Sequence, residues 1–197
     1  LIAQQLKNGR LIALDRDPDA VEFARQRLAS FSNATVFQRN YADLSDVLVE
    51  LGIERVDGVL LDAGLSSTQL DDPARGMSFQ VEGPLDMRMD TTQGLTAAQY
   101  LAEVEKSELV QVLRSFGDIR AAGRIADAII CRREQGMLIT TRDLAESVHS
   151  ALHFVKGVPE ETRTVFQAIR IAVNDELRGL EKGIESALQA LAPGGRL

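Results

Sequence analysis

The first sixty-one residues alternate short apolar runs with stretches of helical period, and this alternation restricts the fold more than any other feature of the chain. Leu11-Ile12-Ala13-Leu14 is a continuous apolar run closed by Asp15, as expected of a strand buried on both faces of a parallel sheet. Asp17 is placed to cap a helix, Pro18 to occupy its first turn, and Val21, Ala24 and Leu28 to form its apolar face. Thr35-Val36-Phe37 predicts a second strand, Leu44 to Leu51 a second helix stopped by Gly52, and Val56 to Leu61 a third strand. The order β-α-β-α-β predicts an α/β fold in which a doubly wound parallel sheet carries helices on both faces.

After Asp90 the period shifts to about 3.6 and stays there. Helices are expected over Ala97 to Val104, Ser107 to Phe116, Ile119 to Arg133 and Thr141 to Phe154, separated by Gly117, Gln135-Gly136 and Gly157-Val158-Pro159. Helices following one another without a strand between them predict an inserted all-helical subdomain. From Thr162 one long helix is expected, with Val165, Ile169, Val173, Leu177, Leu180, Ile184, Leu188 and Leu191 on a single face despite Gly179 and Gly183. Ala192-Pro193-Gly194-Gly195 ends it, and a strand should follow.

With 197 residues, 45% hydrophobic and 26% charged, the chain is long enough for one domain carrying an insertion. No apolar run approaches the roughly 18 residues that span a bilayer. A lone Cys131 excludes an internal disulfide and suits a reducing compartment, so a cytoplasmic location is expected. The chain opens on Leu1 rather than Met and stops as a strand begins, so we expect an internal fragment that is itself inactive. A net charge of −7 argues against nucleic-acid binding through global electrostatics. Between Arg114 and Arg133, however, five arginines face two carboxylates.

Ligands of open α/β sheets sit beyond the carboxyl ends of the strands, so chemistry is sought there. Asp15 either accepts hydrogen bonds from both hydroxyls of a ribose or serves only as a strand-end cap. Asn40-Tyr41-Ala42-Asp43 either frames an adenine ring or starts a helix. Asp62, followed by Gly64, Ser66 and Ser67, suits an acceptor for an exocyclic amine; its alternative is the N-cap of a short helix. His149 and His153 have metal-ligand spacing on a helix, but no third ligand is evident, and no metal is expected. Arg120 and Arg124 share a helical face and, with Arg132 or Arg133, read either as a phosphate-contacting stripe or as a solvated surface.

Leu14-Asp15-Arg16-Asp17-Pro18, Asp57 to Asp71, Gly83-Pro84-Leu85-Asp86-Met87-Arg88-Met89-Asp90, Thr162 to Leu177 and Leu191 to Leu197 together resemble the bacterial 16S ribosomal RNA cytosine-N4 methyltransferase family (RsmH/MraW). The resemblance covers essentially the whole chain and is most specific at Gly83–Asp90 and Thr162–Leu177. It implies a Rossmann-like S-adenosylmethionine-dependent methyltransferase sheet, incomplete here, with a helical insertion for substrate recognition. The implied division is 1–94 for the first part of the methyltransferase domain, 95–161 for the insertion, and 162–197 for the return helix and next strand. The implied activity is methylation of the N4 amine of a cytidine in the decoding region. The implied partner is small-subunit ribosomal RNA or the 30S subunit, with no membrane, and the oligomeric state stays open, a homodimer included.

Carried over residue by residue, the resemblance makes Asp15 the ribose-binding acid and Tyr41 an aromatic beside the adenine, where relatives have Phe. Asp62 becomes the strand-end acid, which is also the candidate catalytic acceptor, and Gln69 a further cofactor contact. The acids at 15 and 62 are expected to hold one methyl donor from neighbouring strand tips. Arg120, Arg124 and Arg163 are the residues expected toward RNA. Two other functions share parts of the pattern: an NAD-dependent Rossmann oxidoreductase would share the placement of Asp15, and a non-catalytic RNA-binding helical module would explain the second half alone.

Overall fold

The computed structural model describes residues 2–153 and 157–197. The elements run α1 (Ile2–Gln5), β1 (Leu11–Asp15), α2 (Pro18–Leu28), β2 (Ala34–Gln38), α3 (Leu44–Glu50), β3 (Val56–Gly58), α4 (Ser67–Asp71) and α5 (Ala97–Glu103). They continue with α6 (Lys106–Gly117), α7 (Ala122–Glu134), α8 (Thr141–Ala151), α9 (Glu161–Asn174), α10 (Glu176–Ala190) and β4 (Leu191–Arg196). The chain is thus mixed α/β, with helices and short parallel strands. It divides into two compact units: one of the residues up to Gly64 with Asp90–Thr92 and Glu176–Leu197, the other of Leu65–Met89 and Gln93–Asp175.

In the α/β unit, β1 pairs in parallel with β2 from Leu11 opposite Ala34 to Asp15 opposite Gln38. β3 pairs in parallel with β4, with a register shift between Val56 and Gly58. These are two separate two-stranded sheets, not the single doubly wound sheet expected. With one partner each, the strands are not sandwiched: Leu11 to Leu14 are half-buried, pairing of the expected Val56–Leu61 strand stops after Gly58, and Leu60 is 79% exposed. Local capping follows the sequence closely. Asp17 is buried and accepts a hydrogen bond from Asp19 N at 3.0 Å, Pro18 opens α2, and Val21 is buried beneath it.

The long helix expected from Thr162 is broken. Asp175 adopts a left-handed conformation (φ 48°) that ends α9, and α10 starts at the next residue with its own rotational setting. The expected stripe therefore holds on α9, where Val165 and Ile169 are fully buried, and fails on α10, where Leu177, Ile184 and Leu188 are exposed. α10 buries instead a face of small residues, Gly183, Ser186, Ala187 and Ala190, and packs against α3 and the 3-10 turn Tyr41–Asp43. The α8 helix ends at Ala151, and Phe154, the expected last residue, lies outside the described residues.

The helical unit owns the larger core, which includes Leu101, Leu109, Leu113, Ile125, Ile129, Leu144, Val148, Val165 and Ile169. Burying each such side chain contributes about 1.5–3 kcal/mol. The segment before α5 is built into this core. Leu85, Met87 and Met89 point inward in strand-like alternation and are buried, while Asp86 and Arg88 form an ion pair at 2.8 Å on the other side. The buried guanidinium of Arg75 donates to the carbonyls of Arg88 (3.2 Å) and Met89 (2.7 Å). Gly76 and Gly83 make the turnback possible, because a Cβ on either would stand 2.1 Å from Pro84 O or 2.0 Å from Pro73 O.

Asn174, at the end of α9, locks this segment. Its Oδ1 accepts from Met89 N at 2.7 Å, and its Nδ2 donates to Met87 O at 2.7 Å and to Arg170 O at 2.9 Å. The two most family-specific stretches of sequence therefore meet each other. Asn174→Ala leaves a buried N–H and a buried carbonyl without partners, and urea unfolding should show a loss of about 2–4 kcal/mol. A loss below half a kcal/mol would show that this lock is dispensable.

Candidate functional site

Asp15 ends β1 and is exposed. Its Oδ1 accepts from Asp17 N at 2.9 Å, and the backbone N–H of Arg16 also acts on the carboxylate. Enclosure by the surrounding protein, reinforced by the Asp17 charge, raises the pKa of this carboxyl against the opposing hydrogen bond from Asp17 N. Asp86 and Asp143 shift the other way. In both, burial acts upward but is outweighed by hydrogen bonds, from Arg88 at Asp86 and from Thr140 and Ile139 at Asp143. Asp15 is thus an exposed strand-end acid with a raised pKa, standing where ligands of parallel sheets bind.

Tyr41 begins a 3-10 turn capped by Asn40, whose Oδ1 accepts from Ala42 N at 3.0 Å. The ring is half-buried against α10, and its hydroxyl donates to Glu176 O at 3.5 Å. Burial, reinforced by the Glu176 carboxylate, raises the phenol pKa. This packing explains one of the two glycines within α10, Gly183. A Cβ on Gly183 would lie 2.7 Å from the Tyr41 ring, whereas one on Gly179 would come no closer than 3.8 Å to any neighbour.

Asp62 lies in the exposed stretch after β3, four residues beyond the end of the ladder, and has no hydrogen-bond or ion-pair partner among the described residues. It does not cap α4; Ser66 does. β1 and β3 belong to different ladders, so Asp15 and Asp62 do not stand on hydrogen-bonded neighbouring strands as expected. The charges that act on Asp15 are those of Asp17 and Arg16.

Gln69 belongs to the helical unit, where it completes a capping box. Its Oε1 accepts from Ser66 N at 3.0 Å, and its N–H donates to Ser66 Oγ at 3.1 Å. The Ser66-Ser67-Thr68-Gln69 spacing carries this signal, which the search for chemistry passed over.

The arginines separate into two groups. Arg132 pairs with Glu146 and Asp143, and Arg133 donates to Leu101 O (3.2 Å) and Val104 O (2.8 Å) at the end of α5. Those two brace helices and do not form the expected stripe. Arg120 and Arg124 instead line a cleft of about 460 Å3 together with Arg114 and Glu161. Arg163 is exposed on the first turn of α9 and is not among the residues lining that cleft. Neither Arg114 nor Glu161 was singled out from the sequence, because only the folded helices bring positions 114, 120, 124 and 161 together.

His149 is exposed on α8, but His153 lies past the end of that helix, so helical spacing does not place them on one face. Among the described residues no group of three His, Cys, Asp or Glu side chains is arranged to hold a metal ion. None of the described helices is long and apolar enough to cross a membrane.

These features define a mixed α/β protein that presents a perturbed strand-end acid in one unit and an arginine-lined cleft in a helical unit. A sequence model of the MraW methylase family matches residues 1–197, and the chain belongs to that family. Its relatives include proteins named ribosomal RNA small subunit methyltransferase H. The one from Pseudoalteromonas atlantica is 43% identical over 198 residues, covering 100% of this chain and 63% of the relative. The one from Bordetella petrii is 48% identical, covering 95% of this chain and 52% of the relative. The one from Burkholderia ambifaria is 47% identical, covering 100% and 64%. The chain thus spans about half to two-thirds of the length of these relatives. The family is S-adenosylmethionine-dependent.

Two measurements probe the α/β unit. A carboxyl whose pKa is higher in the folded state contributes stability at low pH and loses it as pH rises through the folded pKa. Asp15→Asn should therefore raise the urea midpoint at neutral pH, the gain disappearing below about pH 4, where the unfolded carboxyl is itself protonated. An equal midpoint at all pH values would contradict the strained ionisation. On α10, Gly179→Ala should stabilise by up to about 1 kcal/mol through helix propensity. Gly183→Ala should destabilise by about 1–2 kcal/mol, because overpacking against Tyr41 outweighs that gain; thermal unfolding that moves both variants in the same direction would refute the packing.

Proposed function

We propose that this chain supplies the cofactor-binding and RNA-recognising parts of an enzyme that methylates the N4 amine of a cytidine in the decoding region of small-subunit ribosomal RNA. The family match and the names of its relatives support RNA methylation. The single observation that carries the assignment of residues is Asp15, an exposed carboxylate at the carboxyl end of a parallel strand. In this reading residues 1–94 and 162–197 are parts of a Rossmann-like methyltransferase sheet, and 95–161 is a helical insertion that recognises substrate.

The residues fit the cofactor at Asp15, because an exposed carboxylate at the carboxyl end of a parallel strand can take the hydroxyls of a ribose. When bound, S-adenosylmethionine supplies an electrophilic methyl group on a sulfonium. Tyr41 in its turn would flank the adenine. Gln69, whose Oε1 is engaged by Ser66 N, would be a further cofactor contact.

The amine of cytosine is a weak nucleophile because its lone pair is delocalised into the ring, so the site must orient the nitrogen and accept its hydrogen as the lone pair localises. Asp62 suits that acceptor role, since no protein group competes for its carboxylate. The target base must leave its stack for the amine to reach such a group. Arg120, Arg124 and Arg163 would face the RNA.

Titration calorimetry tests the cofactor site. Asp15→Ala should weaken S-adenosylmethionine binding about tenfold or more, through loss of hydrogen bonds to a charged acceptor. In the intact enzyme, Asp62→Ala should abolish methyl transfer to ribosomal RNA. Unchanged affinity in the first variant and retained turnover in the second would remove these residues from the function.

A further inference from the structure

The cleft in the helical unit is built from the last turns of α6 (Arg114), the α6–α7 connection (Arg120), the start of α7 (Arg124) and the first residue of α9 (Glu161). Three guanidiniums against one carboxylate make it locally cationic on a chain whose net charge is −7. Of the nearby carboxylates, Asp127 pairs with Lys106, and Asp118 is not part of the cleft lining. Arg114 and Arg120 have no carboxylate partner among the described residues, and the Glu161 side chain has no hydrogen bond or ion pair there. A fold that spends Arg132 and Arg133 on bracing while leaving Arg114 and Arg120 uncompensated at a concave surface is organised to receive an anion.

The form of the cleft limits which anion. At about 460 Å3 it is larger than an inorganic ion requires and lies within the range of small-molecule sites. Gly123 lines it, and a Cβ there would meet nothing within 4 Å, so that wall is open backbone. Leu152, itself buried in the core, closes the floor, and the Glu161 carboxylate adds an acceptor that a bare phosphate would be repelled by. Phosphate donors and a hydroxyl acceptor side by side match the phosphate and sugar of a ribonucleotide.

We propose that this cleft binds one nucleotide of a single-stranded RNA segment, with Arg114, Arg120 and Arg124 on its phosphodiester and Glu161 accepting a hydrogen bond from its ribose 2′-hydroxyl. The proposal rests on the RNA-methylating reading and deepens it: it names a contact that distinguishes RNA from DNA at a site on the helical unit. The arginines supply affinity without sequence preference, whereas Glu161 supplies the choice of sugar.

The test measures binding of fluorescent single-stranded RNA and of DNA of the same sequence to the 197-residue chain, across a salt series. Arg114→Gln, Arg120→Gln and Arg124→Gln should each lower RNA affinity about tenfold and reduce the slope of log affinity against log salt by about 0.7. Arg10→Gln, an exposed arginine of the α/β unit, should change neither. Glu161→Ala should bring RNA and DNA affinities together. Cleft variants that bind as the parent chain does, or an undiminished preference for RNA in Glu161→Ala, would overturn the proposal, as would a parent chain that binds no RNA. Calorimetry with S-adenosylmethionine on the same samples separates the two readings: cofactor binding that persists while the cleft variants show no effect removes the cleft and leaves the methyltransferase assignment standing. Thermal unfolding of each variant excludes loss of fold as the cause of weaker binding.

Discussion

One side-chain amide holds the helical unit in its shape. Asn174 presents a donor and an acceptor to the backbone at Met87 and Met89, in the way a neighbouring strand would, and does so from the last turn of a helix. The segment it grips has Leu85, Met87 and Met89 in the core, yet no strand flanks it to satisfy its peptide groups. An irregular buried segment, with Met87 in the left-handed region (φ 59°), cannot join a sheet, and each polar group left unpaired there would cost about 1–3 kcal/mol. Asn174 and the buried Arg75 supply the missing donors and acceptor, and so allow an irregular stretch to lie in a helical core. The helices that frame the arginine cleft stand on that core.

The α/β unit is organised differently. Its strands pair only two by two, and its apolar residues are largely half-buried, so its order comes from local devices: the Asp17 cap, the Asn40-capped turn, and Tyr41 against the small-residue face of α10. In this setting Asp15 is an expense. Desolvation raises its pKa against the hydrogen bonds from Asp17 and Arg16, whereas the pKa values of Asp86 and Asp143 are lowered by their hydrogen bonds. Retaining an acid under strain at a strand end fits a binding task better than a structural one.

How much of this was legible in the sequence depends on whether the signal was local. The run ending at Asp15, the Asp17-Pro18 helix start and the helical periods after Asp90 are local patterns, and the elements stand there. The break at Asp175 was not legible, because a polar residue in the left-handed conformation reads in sequence like one more exposed helical position. The expected leucine face of α10 is exposed instead, and Gly183, which looked like a weak point, is where Tyr41 packs. The segment Gly83–Asp90 looked like a ligand loop because it is polar and glycine-flanked. Its inward Leu-Met-Met alternation was present but is obscured when adjacent positions carry Asp and Arg. The grouping of Arg114, Arg120, Arg124 and Glu161 depends on tertiary packing and leaves no mark on any one helix.

The central functional claim is that Asp15 holds the ribose of a nucleoside cofactor. It is tested most directly by a coupling measurement: calorimetric affinity for S-adenosylmethionine and for an analogue lacking the ribose hydroxyls, each with the parent chain and with Asp15→Ala. The account predicts that removing the hydroxyls weakens binding to the parent chain and has little further effect once Asp15 is gone. Equal, independent losses in both proteins would show that the acid and the ribose do not meet.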